Sequence, residues 1–117
     1  GLTPFGQVVV IGVYTDFDSN LFMLHVDGSS YGSVDFDSTS PTQDLTDGSQ
    51  WLPVFDLAND QSAQIQVNFG QDDSFNAQKT SSSAAASDAN GFGKFYYDPN
   101  TGGRTGYLAL CSRNLGA

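Results

Sequence analysis

The chain has 117 residues, of which 38% are hydrophobic; that is enough for one domain with a modest core and too apolar for a disordered segment. Thirteen acids against four Lys+Arg leave a net charge of −9, which argues against a nucleic-acid backbone or an anionic membrane surface as partner. No apolar run approaches the roughly 18 residues of a membrane span, so no membrane insertion is expected.

All thirteen acids are Asp. Asp is poor inside helices and good in turns, because its short side chain accepts hydrogen bonds from nearby backbone. With Gly, Ser, Asn and Thr between short apolar runs, this predicts an all-β chain. The first run, Val8 to Tyr14, is continuous and β-branched, as a strand buried on both faces would be. Asp16 to Asn20 reads as a turn, Leu21 to Val26 as the next strand, and Asp27-Gly28 as a type I′ turn into a strand at Tyr31 to Phe36. Residues 37–50 are polar and turn-rich. Residues 51–55 read as a short strand, confined to an edge or bulge by Pro53. Ala63, Ile65, Val67 and Phe69 alternate with polar residues, the pattern of a strand with one buried face. Trp51 and Phe69 are assigned to the core.

Residues 72–91, including the Ser/Ala-rich stretch 80–87, carry no apolar face and read as a long surface loop with at most one helical turn. Phe92 to Tyr97, a turn over 98–103 and a last strand at Tyr107 to Cys111 complete the series.

Little of this carries enzyme chemistry. Gly28-Ser29-Ser30-Tyr31-Gly32 fits a nucleophile-elbow pattern, yet no helix follows it and the single His, His25, lies upstream. His25 has no second His or Cys at metal-ligand spacing and reads as a half-exposed strand residue. Cys111, the one cysteine, reads as a small hydrophobe. With no Glu and no Asp on a clear inward position, a carboxylate pair for glycoside hydrolysis is unsupported. Asp16, Asp18 and Asn20 copy the start of a calcium loop, which makes calcium the one cofactor the residues admit. Leu21 then stands where such a loop needs Gly, so an Asx-rich hairpin turn is the simpler reading. Tyr31 and Tyr96 are the aromatics best suited to an exposed ligand contact. Asp72 and Asp73 form an acidic pair that joins them as ligand candidates, its plainer reading being a solvated pair.

Four segments in order carry a family resemblance. Ile11-Gly12-Val13-Tyr14, Asp16, Leu21-Phe22-Met23 and Val26-Asp27-Gly28 resemble the SPRY (B30.2-like) pattern of a Gly-Val strand, an Asp turn, an aromatic strand and an Asn-Gly turn, with Asp27 in place of Asn. Trp51-Leu52-Pro53-Val54 and Asn68-Phe69-Gly70-Gln71 resemble two further segments of that family. Phe95-Tyr96-Tyr97-Asp98-Pro99, followed by Thr105 to Cys111 and Asn114-Leu115, resembles the closing segment of a variant found in tailed-phage structural proteins, in which an Ala/Ser/Gly-rich loop like 72–91 also occurs. Gly102 to Arg104 lengthen the usual turn. The family's N-terminal strands have no counterpart.

The resemblance covers about residues 8–115. It implies a single SPRY-like antiparallel β-sandwich, a jelly roll of the concanavalin A type, over residues 1–117. A half sandwich leaves edges and an apolar face open, so the missing strands are expected from a longer precursor, another chain or symmetry copies. The function implied is a non-enzymatic binding or structural module of a virion or other extracellular assembly, such as a tail, fibre or decoration component. Its partners would be other subunits, copies of itself, or a host-surface glycan. An intracellular SPRY-type adaptor and a calcium-dependent lectin-like domain are the alternatives.

Overall fold

The structure, a computed structural model, describes residues 8–38, 44–56, 64–81 and 85–115. Its regular structure is β: strands β1 (Ile11–Asp16), β2 (Leu21–Val26) and β3 (Ser29–Asp35) form one antiparallel sheet in the order β1-β2-β3. Beyond it lie a 3-10 turn at Phe36–Ser38, one helical turn, α1 (Ser112–Leu115), and an isolated bridge between Ala86 and Phe95. Contacts divide the chain into two compact units, Gly1–Asp56 and Leu57–Ala117.

In the first unit both hairpin turns follow from their residues. Asp27 and Gly28 have φ of 48° and 82°, as the two central positions of a type I′ turn require. The Asp27 backbone N–H donates to Val10 O at 2.8 Å, and its carboxylate accepts from Val10 N at 2.9 Å, which clamps the entry to β1. At the other end Asn20, at φ 53°, closes the β1–β2 turn. Asn tolerates this left-handed position because its side chain can hydrogen-bond locally. Its amide donates to Asp37 and accepts from Leu45 N, both at 2.8 Å, and its carbonyl accepts from Phe36 N. One turn residue therefore ties the end of the sheet to the 3-10 turn and to residues 44–45.

The second unit contains no strand among its described residues. It is held by side chains that bond backbone. Asn68 donates to Lys94 O and accepts from Gly70 N and Asp72 N, while Lys94 N donates to Gly70 O. Gly70 (φ 110°) and Gly93 (φ 83°) approach so closely that a Cβ on either would stand 3.0 Å from the other's Cα. Asn100 both donates to and accepts from the Tyr107 backbone, closing the loop that starts at the expected 98–103 turn.

Several expectations are corrected. Val8 to Tyr14 is not a strand buried on both faces: β1 begins at Ile11, and Ile11 and Val13 are about half exposed. Of residues 51–55 and 64–69, none is in a strand, and Trp51 and Phe69 are exposed rather than core. Alternation makes a strand only where a neighbour supplies the ladder. At 67–71 the Asn68 and Gln71 side chains take up the backbone groups that a ladder would use, Gln71 through Phe69 N and Val67 O. Residues 107–111 likewise make no ladder. The described residues of 72–91 form no strand or helix and are mostly exposed or half-buried, while Asp73 and Asp88 within them are buried. Phe75, Asn76 and Ala77 form a turn of left-handed backbone, φ 52–63°, which costs about 1–2 kcal/mol per residue. The Asp72 carboxylate offsets this by accepting from Ser74 N, Ser74 Oγ and Asn76 N.

Among the described residues Leu45 is the buried apolar side chain, whereas Asn20, His25, Asp73 and Asp88 are buried and polar.

Candidate binding face

The register sorts the sheet residues onto two faces. Directly opposed residues of antiparallel strands share a face and neighbours along a strand alternate. Ile11, Val13 and Thr15 therefore lie with Val26, Leu24 and Phe22, and these with Val34 and Gly32. Gly12, Tyr14 and Asp16 lie with His25, Met23 and Leu21 on the other face. There the Tyr14 and His25 rings meet edge-on at 5.0 Å and His25 is buried, not half exposed as expected.

The first face is apolar and open. Ile11, Val13 and Val34 are 49%, 50% and 44% exposed, and β3 is exposed throughout its length. A register shift between Leu24 and His25 sets Ser30, Tyr31 and Gly32 against those two residues, so Tyr31 is the extra residue of a bulge. Tyr31 joins Phe22, Leu24, Gly32, Ser33 and Val34 around an open depression of about 190 Å³. That is below the roughly 300–1,000 Å³ of small-molecule sites and suits one or two side chains. Of the ligand candidates, Tyr31 is thus the one the structure brings into an apolar site. The sequence flagged Tyr31 as exposed, but the bulge that re-aims it has no local signal.

The other candidates are engaged elsewhere. Tyr96 is half-buried against Tyr97, ring centroids 5.0 Å apart, with the Lys79 ammonium 5.4 Å from its ring centroid. Asp72 caps the left-handed turn; hydrogen bonds from the Ser74 side chain, then from the Asn76 and Ser74 backbone, lower its pKa. Asp73 is 2% exposed and accepts from Ser81 Oγ at 2.7 Å, so it is not a solvated partner of Asp72. Of the calcium trio, Asp16 accepts from Ser19 N, and the Asn20 amide oxygen is taken by Leu45 N. No group of three or more His, Cys or Asp side chains that could hold a metal occurs among the described residues.

The residue that sequence reasoning missed is Asp88. Its carboxylate accepts from Asn90 N, Phe92 N, Ala109 N and Asn114 Nδ2 at 2.7–2.9 Å. Burial pushes this carboxyl up, but the bonds from Ala109, Asn114, Phe92 and Asn90 together hold it below its ordinary value. It works as a clip, with no nucleophile or base beside it in that set of partners.

No family model matches the chain, and no curated protein or solved structure matches it.

Proposed function

We propose that the chain is a non-enzymatic binding or structural module of a virion or other extracellular assembly, built as part of a SPRY-like β-sandwich that strands from elsewhere complete. The observation that carries the reading is the open apolar face of the β1-β2-β3 sheet, with about half of Ile11, Val13 and Tyr31 in solvent. A sheet gains stability by burying one face against a second layer, and contiguous exposed apolar surface marks an interaction site. The polar character of the buried residues among those described points the same way, since the burial that a small domain needs is then supplied by a partner. Within Leu57–Ala117, the segment Asn68-Phe69-Gly70-Gln71, which resembles a SPRY motif, bonds to Lys94, the residue just before the closing segment that starts at Phe95.

Native mass spectrometry and sedimentation of the full chain in its assembly test the proposal. Incorporation at fixed stoichiometry, with the β1-β2-β3 amides protected from hydrogen exchange only in the assembly, is the expected result. A stable free monomer in which Val13→Ser and Val34→Ser change no association overturns it.

A further inference from the structure

The two compact units differ sharply in charge. Gly1–Asp56 holds eight of the thirteen Asp and none of the four Lys+Arg, a formal −8 of the chain's −9. Those carboxylates bracket the open sheet. Asp16, Asp18, Asp35 and Asp37 lie at the end where β1 runs into β2 and β3 runs into the 3-10 turn; Asp27 lies at the other. Asp35 and Asp37 accept hydrogen bonds from Asp37 N, Ser38 Oγ and Asn20 Nδ2, which orders the carboxylates without neutralising them. No Lys or Arg in this unit's sequence can do so.

β3 is also an outer strand of the sheet, pairing with β2 on one side and with no other strand among the described residues. Ser29–Asp35 contains neither Lys nor Pro, the residues that usually blunt such an edge. Its bulge lies at Tyr31, which leaves Gly32, Ser33, Val34 and Asp35 in regular register. The depression formed by Phe22, Leu24, Tyr31, Gly32, Ser33 and Val34 opens beside that stretch.

We infer that the Gly32–Asp35 edge takes up an extended protein segment that is apolar at alternate positions and flanked by Lys or Arg. This rests on the binding-module reading and names the partner's chemistry. The segment adds as a fourth strand; alternate residues fall on the apolar face, one of them in the depression between Tyr31 and Val34. Its cations lie over the Asp16/Asp18/Asp35/Asp37 end. A second copy of this face is the wrong occupant, because it would set −8 against −8 across the contact.

The test uses the full chain and two synthetic peptides of alternating Val and Thr, acetylated and amidated, one with Lys at both ends and one with Glu. Anisotropy is expected to show the Lys peptide binding at least about tenfold tighter, with the difference shrinking as salt rises. The Ser33 and Asp35 amides should gain protection from exchange, since Phe36 N donates to Asn20 O on the β2 side and amides alternate sides along a strand. Val34→Ser should weaken binding about tenfold, as loss of one buried aliphatic side chain does. The pair Asp18→Asn and Asp35→Asn, which keeps the acceptor that Asp37 N uses, should remove the preference for Lys; circular dichroism verifies that each variant is folded.

Equal binding of both peptides, or binding without protection of β3, overturns the inference. So does concentration-dependent self-association that protects β3 without peptide. That last result, or protection of the sheet in the assembly by an uncharged partner, overturns the charge argument while the binding-module reading stands.

Discussion

Replacing Asp88 by Ala is the sharpest probe of how the second unit is held. The carboxylate is 6% exposed and accepts four hydrogen bonds, from residues as far apart in sequence as Asn90 and Asn114. A hydrogen bond to a charged group is worth about 1.5–3 kcal/mol, and a buried donor left alone costs about 1–3 kcal/mol. The four are not additive, and water can reach part of the site once the side chain is gone. A net loss of about 3–4 kcal/mol follows, a large fraction of the 5–15 kcal/mol typical of a domain. Asp88→Asn keeps one acceptor oxygen but turns an NH2 group towards donors, and should lose about half as much. Urea unfolding at neutral pH is the assay, read as a lower midpoint at unchanged slope. The Phe92 and Ala109 amides should lose exchange protection together.

The pH dependence has a definite sign. The folded carboxyl lies below its ordinary 3.8, so its contribution is whole above that value and fades as pH falls through the folded pKa. The gap between wild type and Asp88→Ala should therefore close in acid. A loss below about 1 kcal/mol at neutral pH, or a gap that widens in acid, refutes the reasoning.

Three further expectations follow from the turns. Gly93→Ala would place a Cβ 2.8 Å from Phe95 Cε2 and 3.0 Å from Gly70 Cα at φ 83°, whereas Gly91→Ala at φ 80° meets nothing within 4 Å. Urea titration should show Gly91→Ala losing about 1 kcal/mol from φ alone and Gly93→Ala about twice that or more. Asn20→Gly keeps the left-handed backbone and removes the bonds to Asp37 and Leu45; about 1–2 kcal/mol should go, with loss of exchange protection at Leu45 N. Calcium at about millimolar levels should leave thermal unfolding unchanged, since the Asn20 oxygen already serves Leu45 N; a clear rise would restore the calcium reading of Asp16, Asp18 and Asn20.

What was legible in the sequence is what short-range chemistry determines. Asp27-Gly28 announces a turn with positive φ at both positions, and the two runs before it become β1 and β2 in the expected order. The third strand starts earlier than expected, at Ser29, because small polar residues can occupy an exposed edge without any apolar signal. The alternation at 63–69 misled, since a period of two reports a side-chain pattern and not a pairing partner. Ala63 lies outside the described residues, and Ile65, Val67 and Phe69 make no ladder. Asp88 was invisible for a related reason. It follows a Ser/Ala-rich stretch, and its partner Ala109 lies 21 residues further on, so no local window contains both halves of the clip. Tyr31 was legible as exposed, but the bulge that sets it beside Phe22 and Leu24 depends on registration between strands.

These failures share a cause that bears on function. The chain spends its polar side chains inward, at Asn20, Asp73 and Asp88, and leaves Ile11, Val13, Tyr31 and Val34 outward. Most small domains do the reverse. Buried polar groups specify geometry when every bond is made but add little net stability compared with apolar burial. A chain organised this way holds its loops in defined shapes while leaving apolar surface exposed, as the proposed binding module requires. Covering the sheet face should then stabilise Gly1–Asp56 by more than the new contacts at β3 alone, because it also buries Ile11 and Val13 on β1, at the far side of the sheet. The measurable consequence is that a partner layer over the face raises exchange protection across β1 as well as at β3, whereas a segment added only at the β3 edge does not reach β1. Protection confined to β3 would mean that the edge is filled and the face remains open.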